Sequence, residues 1–164
     1  RGIDPPGSPS DAIYPFDDPA ATLHELGLTL QRTLGGTSGA LYGVFFLRAS
    51  ARLRSPSPDD PRAWAEAFQA GCSAIAELGG AKVGDRTMLD ALQPAAEAFS
   101  AALDVGQPLK SAVDAATRAA EAGAKATADL APRRGRSSYL GDRALGHPDP
   151  EAVAVATWLG AIAK

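Results

Sequence analysis

GGTSGALYG, from Gly35 to Gly43, sets four glycines, a threonine and a serine between two apolar stretches that read as helices. A tight turn needs one or two residues of this kind, so the excess asks for a second reason. The flanks decide the fold. On the N-terminal side, Pro19 to Leu34 reads as a helix with Asp18 as N-cap, Pro19 in the first turn and an apolar stripe of Leu23, Leu26, Leu30 and Leu34. Gly35 ends it. On the other side, Ser38 to Leu53 contains LYGVFFL, apolar all round, and is expected to be central.

Further out the same period continues. SPSPDD is a loop, and Asp60-Pro61 starts a third helix with Trp64, Phe68, Cys72, Ile75 and Leu78 on one face. It ends in LGGAKVGD, a second flexible polar turn. A fourth helix is expected from Arg86 to Leu103, with Leu89, Leu92, Ala96, Phe99 and Leu103 inward and a kink at Pro94. A fifth, from Pro108 to Leu130, carries Leu109, Ala112, Val113, Ala116, Ala120 and Gly123, a mostly small stripe that permits close approach of a neighbour. The last runs from Pro150 to Ala163, capped by Asp149, with Val155, Leu159 and Ile162 on one side. No segment alternates as a strand does. The expected class is all-α, an antiparallel up-and-down helical bundle or barrel with about six visible helices. Residues 1–18 read as irregular, and Arg1 is not an initiator Met, so a segment upstream of it is expected.

At 164 residues the chain is most simply one domain, with an ordinary globular balance of 45% hydrophobic and 21% charged residues. A net charge of −3 gives no reason to expect nucleic acid as a partner. No apolar run reaches bilayer length, so no membrane partner is expected either, and the expected compartment is the cytoplasm. The single cysteine, Cys72, rules out an intrachain disulfide and any cysteine-cluster metal site. On its apolar stripe it reads as core.

In an up-and-down bundle alternate turns share an end. GGTSG, GGAKVGDRTM and RRGRSSYLGDRALGHPDPE are therefore expected to converge, with DVGQP opposite. Together they have what a phosphate site needs. Glycines let backbone N–H groups approach an anion, and Thr37 and Ser38 stand at a helix start where donors are unpaired. Arg133, Arg134, Arg136 and Arg143 carry forks that suit phosphate oxygens. Taken singly, each stretch has an ordinary reading. GGTSG is a C-cap joined to an N-cap, the arginines are a solvated loop, and His147 is a turn residue. Met88 is a packing residue that could also touch a ligand, and Asp85 is a helix N-cap. Convergence is what favours the site.

GGTSGALYGVFF, GDRTMLDAL and GRSSYLGDRALGHPDPEA keep an order and spacing that resemble the nucleotide-binding L subunit, or L domain, of dihydroxyacetone kinases (the DhaL family). The resemblance covers nearly all of the chain as a single DhaL-like domain. It implies a closed barrel of eight antiparallel helices with ADP or ATP at one end, incomplete here at its N-terminal side. It implies phosphate-side contacts from Thr37 and Ser38, an adenine and ribose pocket lined by Gly79 and Met88, and a nucleotide contact from Arg136. Asp149, Pro150 and Glu151 match the turn that closes over the nucleotide, although Glu151 stands where Gly is commonest. The family's Mg²⁺ is held by an acidic motif of the type GDGDHG shortly before an Arg-Gly pair. Arg1-Gly2 looks like that pair, so the ligands are expected upstream of Arg1, and no metal ligand is assigned within the chain. Asp17-Asp18 and Asp59-Asp60 read instead as helix starts. No residue is nominated as a general base.

The resemblance further implies a K subunit or domain that holds dihydroxyacetone, or a four-carbon ketose such as erythrulose, through a histidine. Phosphate would come from ATP, or from a phosphotransferase-system protein that rephosphorylates bound ADP. This chain alone is expected to bind nucleotide weakly and to turn nothing over. A rival expectation is a degenerate, non-catalytic DhaL-like module that has lost the Mg²⁺ site.

Overall fold

The structure, a computed structural model, describes residues 14–54, 59–133 and 136–164. Among them are six α-helices: α1 (Pro19–Thr33), α2 (Gly36–Leu53), α3 (Pro61–Gly79), α4 (Leu89–Asp104), α5 (Leu109–Ala126) and α6 (Pro150–Ile162). Short 3-10 stretches cover Thr127–Asp129 and Arg136–Ala144, the second broken at Gly141 (φ +52°). No strand occurs among the described residues, so the all-α expectation holds. None of their helices is long and apolar enough to cross a membrane. Of the expected irregular segment, only residues 14–18 fall within the description. The chain divides into two compact units, one ending at Gly79 and the other starting at Gly80.

In the N-terminal unit, α1 begins where expected. The Asp18 carboxylate accepts the Ala21 amide at 3.0 Å, and Pro19 has no amide to satisfy. α2 runs antiparallel to α1: the Ser50 hydroxyl donates to the Ala20 carbonyl at 2.7 Å, while Gly39 lies against Leu34 at the other end. The glycines make this contact close. A Cβ on Gly39 would stand 2.3 Å from the Leu34 carbonyl oxygen, and one on Gly43 3.0 Å from Cβ of Gln31. Gly36 takes φ +66° at the turn itself, whereas Gly35 has nothing within 4 Å of where its Cβ would be. The excess of glycine in GGTSGALYG is thus largely a helix-packing device.

That closeness also moves the buried face. Leu23, Leu26 and Leu30 are only half-buried and Leu34 is 39% exposed, while Ala20, Gly27 and Thr29 are the buried positions of α1. Two backbones this near each other bury small residues and push leucines to the flank. α3 behaves alike. Cys72 and Ile75 are buried as expected, but with Ala63, Ala67, Gly71 and Ala74, while Trp64 and Phe68 are half-buried and Leu78 is exposed. Phe45 of α2 packs edge-on against Phe68 and lies over Gly71, where a Cβ would meet its ring at 2.6 Å. α2 therefore lies between α1 and α3, which is the central place its all-round apolarity implied.

A substitution pair tests the packing account. Gly39→Ala is expected to cost about 1–3 kcal/mol, because the carbonyl in its path is backbone and cannot rotate away. Gly35→Ala is expected to cost under about 1 kcal/mol as an N-cap change in open space. Urea midpoints measure both, and equal losses would contradict the assignment of Gly39 to the helix contact.

In the C-terminal unit, α4 buries Leu89, Leu92, Ala96, Phe99 and Leu103, as its pattern implied. It starts at Leu89 rather than Arg86, because Arg86 takes φ +62°, which no helix accommodates. Pro94 lies inside α4 and cannot donate to the Asp90 carbonyl one turn earlier. Gly123 of α5 packs against that same carbonyl; a Cβ there would stand 2.0 Å from the oxygen. Ala112, Ala116, Ala120 and Ala124 complete the small buried face of α5, while Leu109 is 50% exposed. α6 packs antiparallel on α5 through Thr117, whose hydroxyl reaches the Leu159 carbonyl at 3.5 Å and whose methyl faces Gly160. Val155 and Leu159 are buried, and Ile162, the last residue of α6, is exposed.

Candidate functional site

The loop before α4 is built on reversals. Gly80 (φ +57°), Gly84 (φ +93°) and Arg86 (φ +62°) are all left-handed, and the loop is held by carboxylates. Asp90, in the first turn of α4, accepts the Gly84 amide at 2.6 Å with one oxygen and the Thr87 amide at 2.8 Å with the other. Asp85 accepts the Lys82 amide at 3.1 Å, and its other oxygen lies 4.0 Å from the Arg133 guanidinium. The expected role of Asp85 as helix N-cap is therefore corrected. The reversal at Arg86 stands between Asp85 and the helix, and Asp90 takes the loop amides instead.

Arg86 is the residue that the sequence reading missed. Its side chain is buried, at 3% exposure. Nε donates to the Thr127 carbonyl at 3.2 Å, and Nη2 to the carbonyls of Ala144 at 3.0 Å and His147 at 2.9 Å. Nη1 makes no hydrogen bond and stands 3.9 Å from the carboxylate of Asp149. Nothing local distinguishes Arg86 from the other arginines of the chain.

Asp149 is itself buried, at 4% exposure. One oxygen accepts the amides of Glu151 at 3.1 Å and Ala152 at 3.0 Å, which caps α6 as expected. Its own amide donates to the Thr127 hydroxyl at 2.7 Å. The Gly146 amide donates to the Ala128 carbonyl at 2.8 Å, and the Arg133 amide to the Asp85 carbonyl at 3.3 Å. Apart from Nη1 of Arg86, buried charged groups and backbone thus satisfy one another around the start of α6.

The unit therefore brings together two of the three stretches expected to converge, the loop over 82–88 and the segment ending in DPE. Met88 is 1% exposed, Pro150 opens α6 on the surface, and Glu151 is half-buried with its amide committed to Asp149. Arg133 and Arg143 are exposed, and His147 is a turn residue that offers its carbonyl. Arg136 opens the second 3-10 stretch with its side chain outside the description, and Arg134 lies outside the described residues altogether. Thr37, Ser38 and Gly79 belong to the N-terminal unit. The first two stand in the opening turn of α2, which has no side-chain cap, and Gly79 is the last residue of α3. A hollow of about 290 Å³ lined by Glu121, Lys125, Val153 and Thr157 holds none of these residues. Among the described residues no group of three or more His, Cys, Asp or Glu side chains is placed to hold a metal.

A model of the DAK2 domain matches residues 9–164. The chain belongs to the DAK2-domain family. It is 41% identical over 144 residues to the triokinase/FMN cyclase of Rattus norvegicus, a match covering 88% of this chain and 25% of that protein. It is 35% identical over 133 residues to the ADP-binding subunit DhaL of the PEP-dependent dihydroxyacetone kinase of Escherichia coli, covering 81% of this chain and 63% of that one. The dihydroxyacetone kinase of C. freundii in complex with AMP-PNP and Mg²⁺ aligns with a TM-score of 0.69 and 34% identity over 92% of this chain and 24% of that one. This DAK2-domain chain thus spans less than two thirds of the length of each of these relatives.

Proposed function

We propose that this chain is the nucleotide-binding part of a dihydroxyacetone-type kinase, working with a K subunit or domain that holds the ketose. The observation that carries the reading is the 34% identity, over 92% of the chain, to a kinase whose structure contains AMP-PNP and Mg²⁺. Thr37 and Ser38 would donate to phosphate oxygens from the first turn of α2, where backbone amides also point outward. Gly79 and Met88 would line the base and ribose, Met88 from a position that is 1% exposed. Arg136 would add a fork to the phosphates, and the turn at Asp149, Pro150 and Glu151 would close the site. With the Glu151 amide held by Asp149, that turn would meet the nucleotide as a preset surface.

Magnesium would neutralise phosphate charge in such a kinase. The described residues do not form a site that fits it. The phosphoryl donor would be ATP or a phosphotransferase-system protein, the substrate a three- or four-carbon ketose, and the compartment the cytoplasm. The rival, a non-catalytic module, gains no support from relatives named as kinases.

An amide-resolved NMR titration of the chain with ADP tests this. Shifts are expected at Thr37, Ser38, Gly79, Met88, Arg136 and Glu151. Ser38→Ala is expected to weaken binding about tenfold, as for one lost hydrogen bond to a charged phosphate. Shifts confined to other residues, or none, would overturn the reading.

A further inference from the structure

We propose that Arg86 is a positioning residue, which sets the segment from Ala144 to Glu151 in its binding arrangement before a nucleotide arrives; this rests on the nucleotide reading above. The three carbonyls that it holds belong to separate pieces of backbone outside the α-helices. Thr127 follows the end of α5, Ala144 ends the 3-10 stretch, and His147 lies in the turn before α6. Thr127 and Ala144 each also accept one backbone amide, from Leu130 at 3.2 Å and His147 at 3.3 Å, but only the guanidinium joins all three carbonyls and so fixes their mutual spacing.

Two features argue against a filler of the core. An apolar side chain of similar volume would fill the space without bringing a charge out of water. Arg86 also takes φ +62° with a full side chain, where glycine would be unstrained. Strain of this kind persists where the surroundings over-determine it, and it clusters at functional sites. The fork gathers the loop that carries Met88 and the turn that carries Asp149, Pro150 and Glu151, which are two of the surfaces assigned to nucleotide. Holding both in place beforehand removes an ordering cost from binding.

Hydrogen exchange and the ADP titration, run on Arg86→Met and Arg86→Lys, decide the matter. The amides of Gly146 and Asp149 are expected to exchange about tenfold faster or more in both variants, while those of Ala95, Ala96 and Phe99 in α4 keep their protection. ADP affinity is expected to fall by a similar factor. Lysine keeps the charge and most of the length but cannot span three carbonyls, so it serves if the methionine variant does not fold. Unchanged exchange at Gly146 and Asp149 would overturn the proposal, as would faster exchange with unaltered ADP affinity. A lysine variant indistinguishable from wild type would credit the charge and overturn the fork. Equal acceleration at every amide would reduce Arg86 to general stability. A wild-type chain with no ADP response would sink the nucleotide reading itself, a failure recognisable because it needs no variant.

Discussion

Gly123→Ala is expected to destabilise the C-terminal unit by roughly 2–4 kcal/mol, although alanine in place of glycine inside a helix ordinarily gains about 1 kcal/mol. The added methyl would stand 2.0 Å from the Asp90 carbonyl oxygen and 3.0 Å from its carbon. Neither atom can rotate out of the way, because both belong to the backbone of α4. Pro94 sharpens the effect. It supplies no amide to the Asp90 carbonyl, and the close approach of α5 is built at that very peptide. Relief would require α5 to move off α4, which uncovers Ala116 and Ala120, buried at 2% and 0% exposure. Urea unfolding followed by far-UV circular dichroism gives the sign directly. A raised midpoint would mean that α5 yields without loss, and the close-packed account of this helix pair would fail.

Asp149→Ala is expected to cost roughly 3–5 kcal/mol, the range for removing one partner of a buried charge pair. The loss has two parts. The carboxylate caps α6 through Glu151 and Ala152, a contribution of about 0.5–2 kcal/mol. It also stands 3.9 Å from the guanidinium of Arg86, which would be left buried without a counter-charge. Asp149→Asn separates the parts, since asparagine is as good an N-cap as aspartate. It is expected to retain the helix start and lose about 1–3 kcal/mol for the missing charge. An asparagine variant as stable as the wild type would mean that the pairing with Arg86 contributes nothing. The three carbonyls on the guanidinium would then suffice to hold it in the core.

Helix existence and the starts of α1 and α6 were legible from short-range pattern. Asp18 and Asp149 cap α1 and α6 through bonds that span two or three residues, so a window of four residues contains the whole interaction. The inward row of α4 was legible for the same reason, since Leu89, Leu92, Ala96, Phe99 and Leu103 recur at helical spacing and all face the core. The small stripe of α5 likewise announced a close neighbour. Part of the expected convergence was legible as motifs. GDRTM and the segment ending in DPE come together in the C-terminal unit, while Thr37 and Ser38 were recognised by their place at a helix start.

Local pattern misled wherever a distant backbone chose the partner. Leucine outranks glycine on any hydrophobic scale, yet α1 buries Gly27 and leaves Leu34 at the edge, because contact with α2 is close enough to exclude side chains. Asp85 looked like the cap of α4, but the left-handed turn at Arg86 handed the loop amides to Asp90. Arg86 itself bonds carbonyls 41, 58 and 61 residues away. Capping, periodicity and turn chemistry act within a few residues and are therefore written in the chain. Burial of a charge depends on which carbonyls the folded backbone brings around it, and for Arg86 that arrangement exists only once α5, the 3-10 stretch and the start of α6 have met.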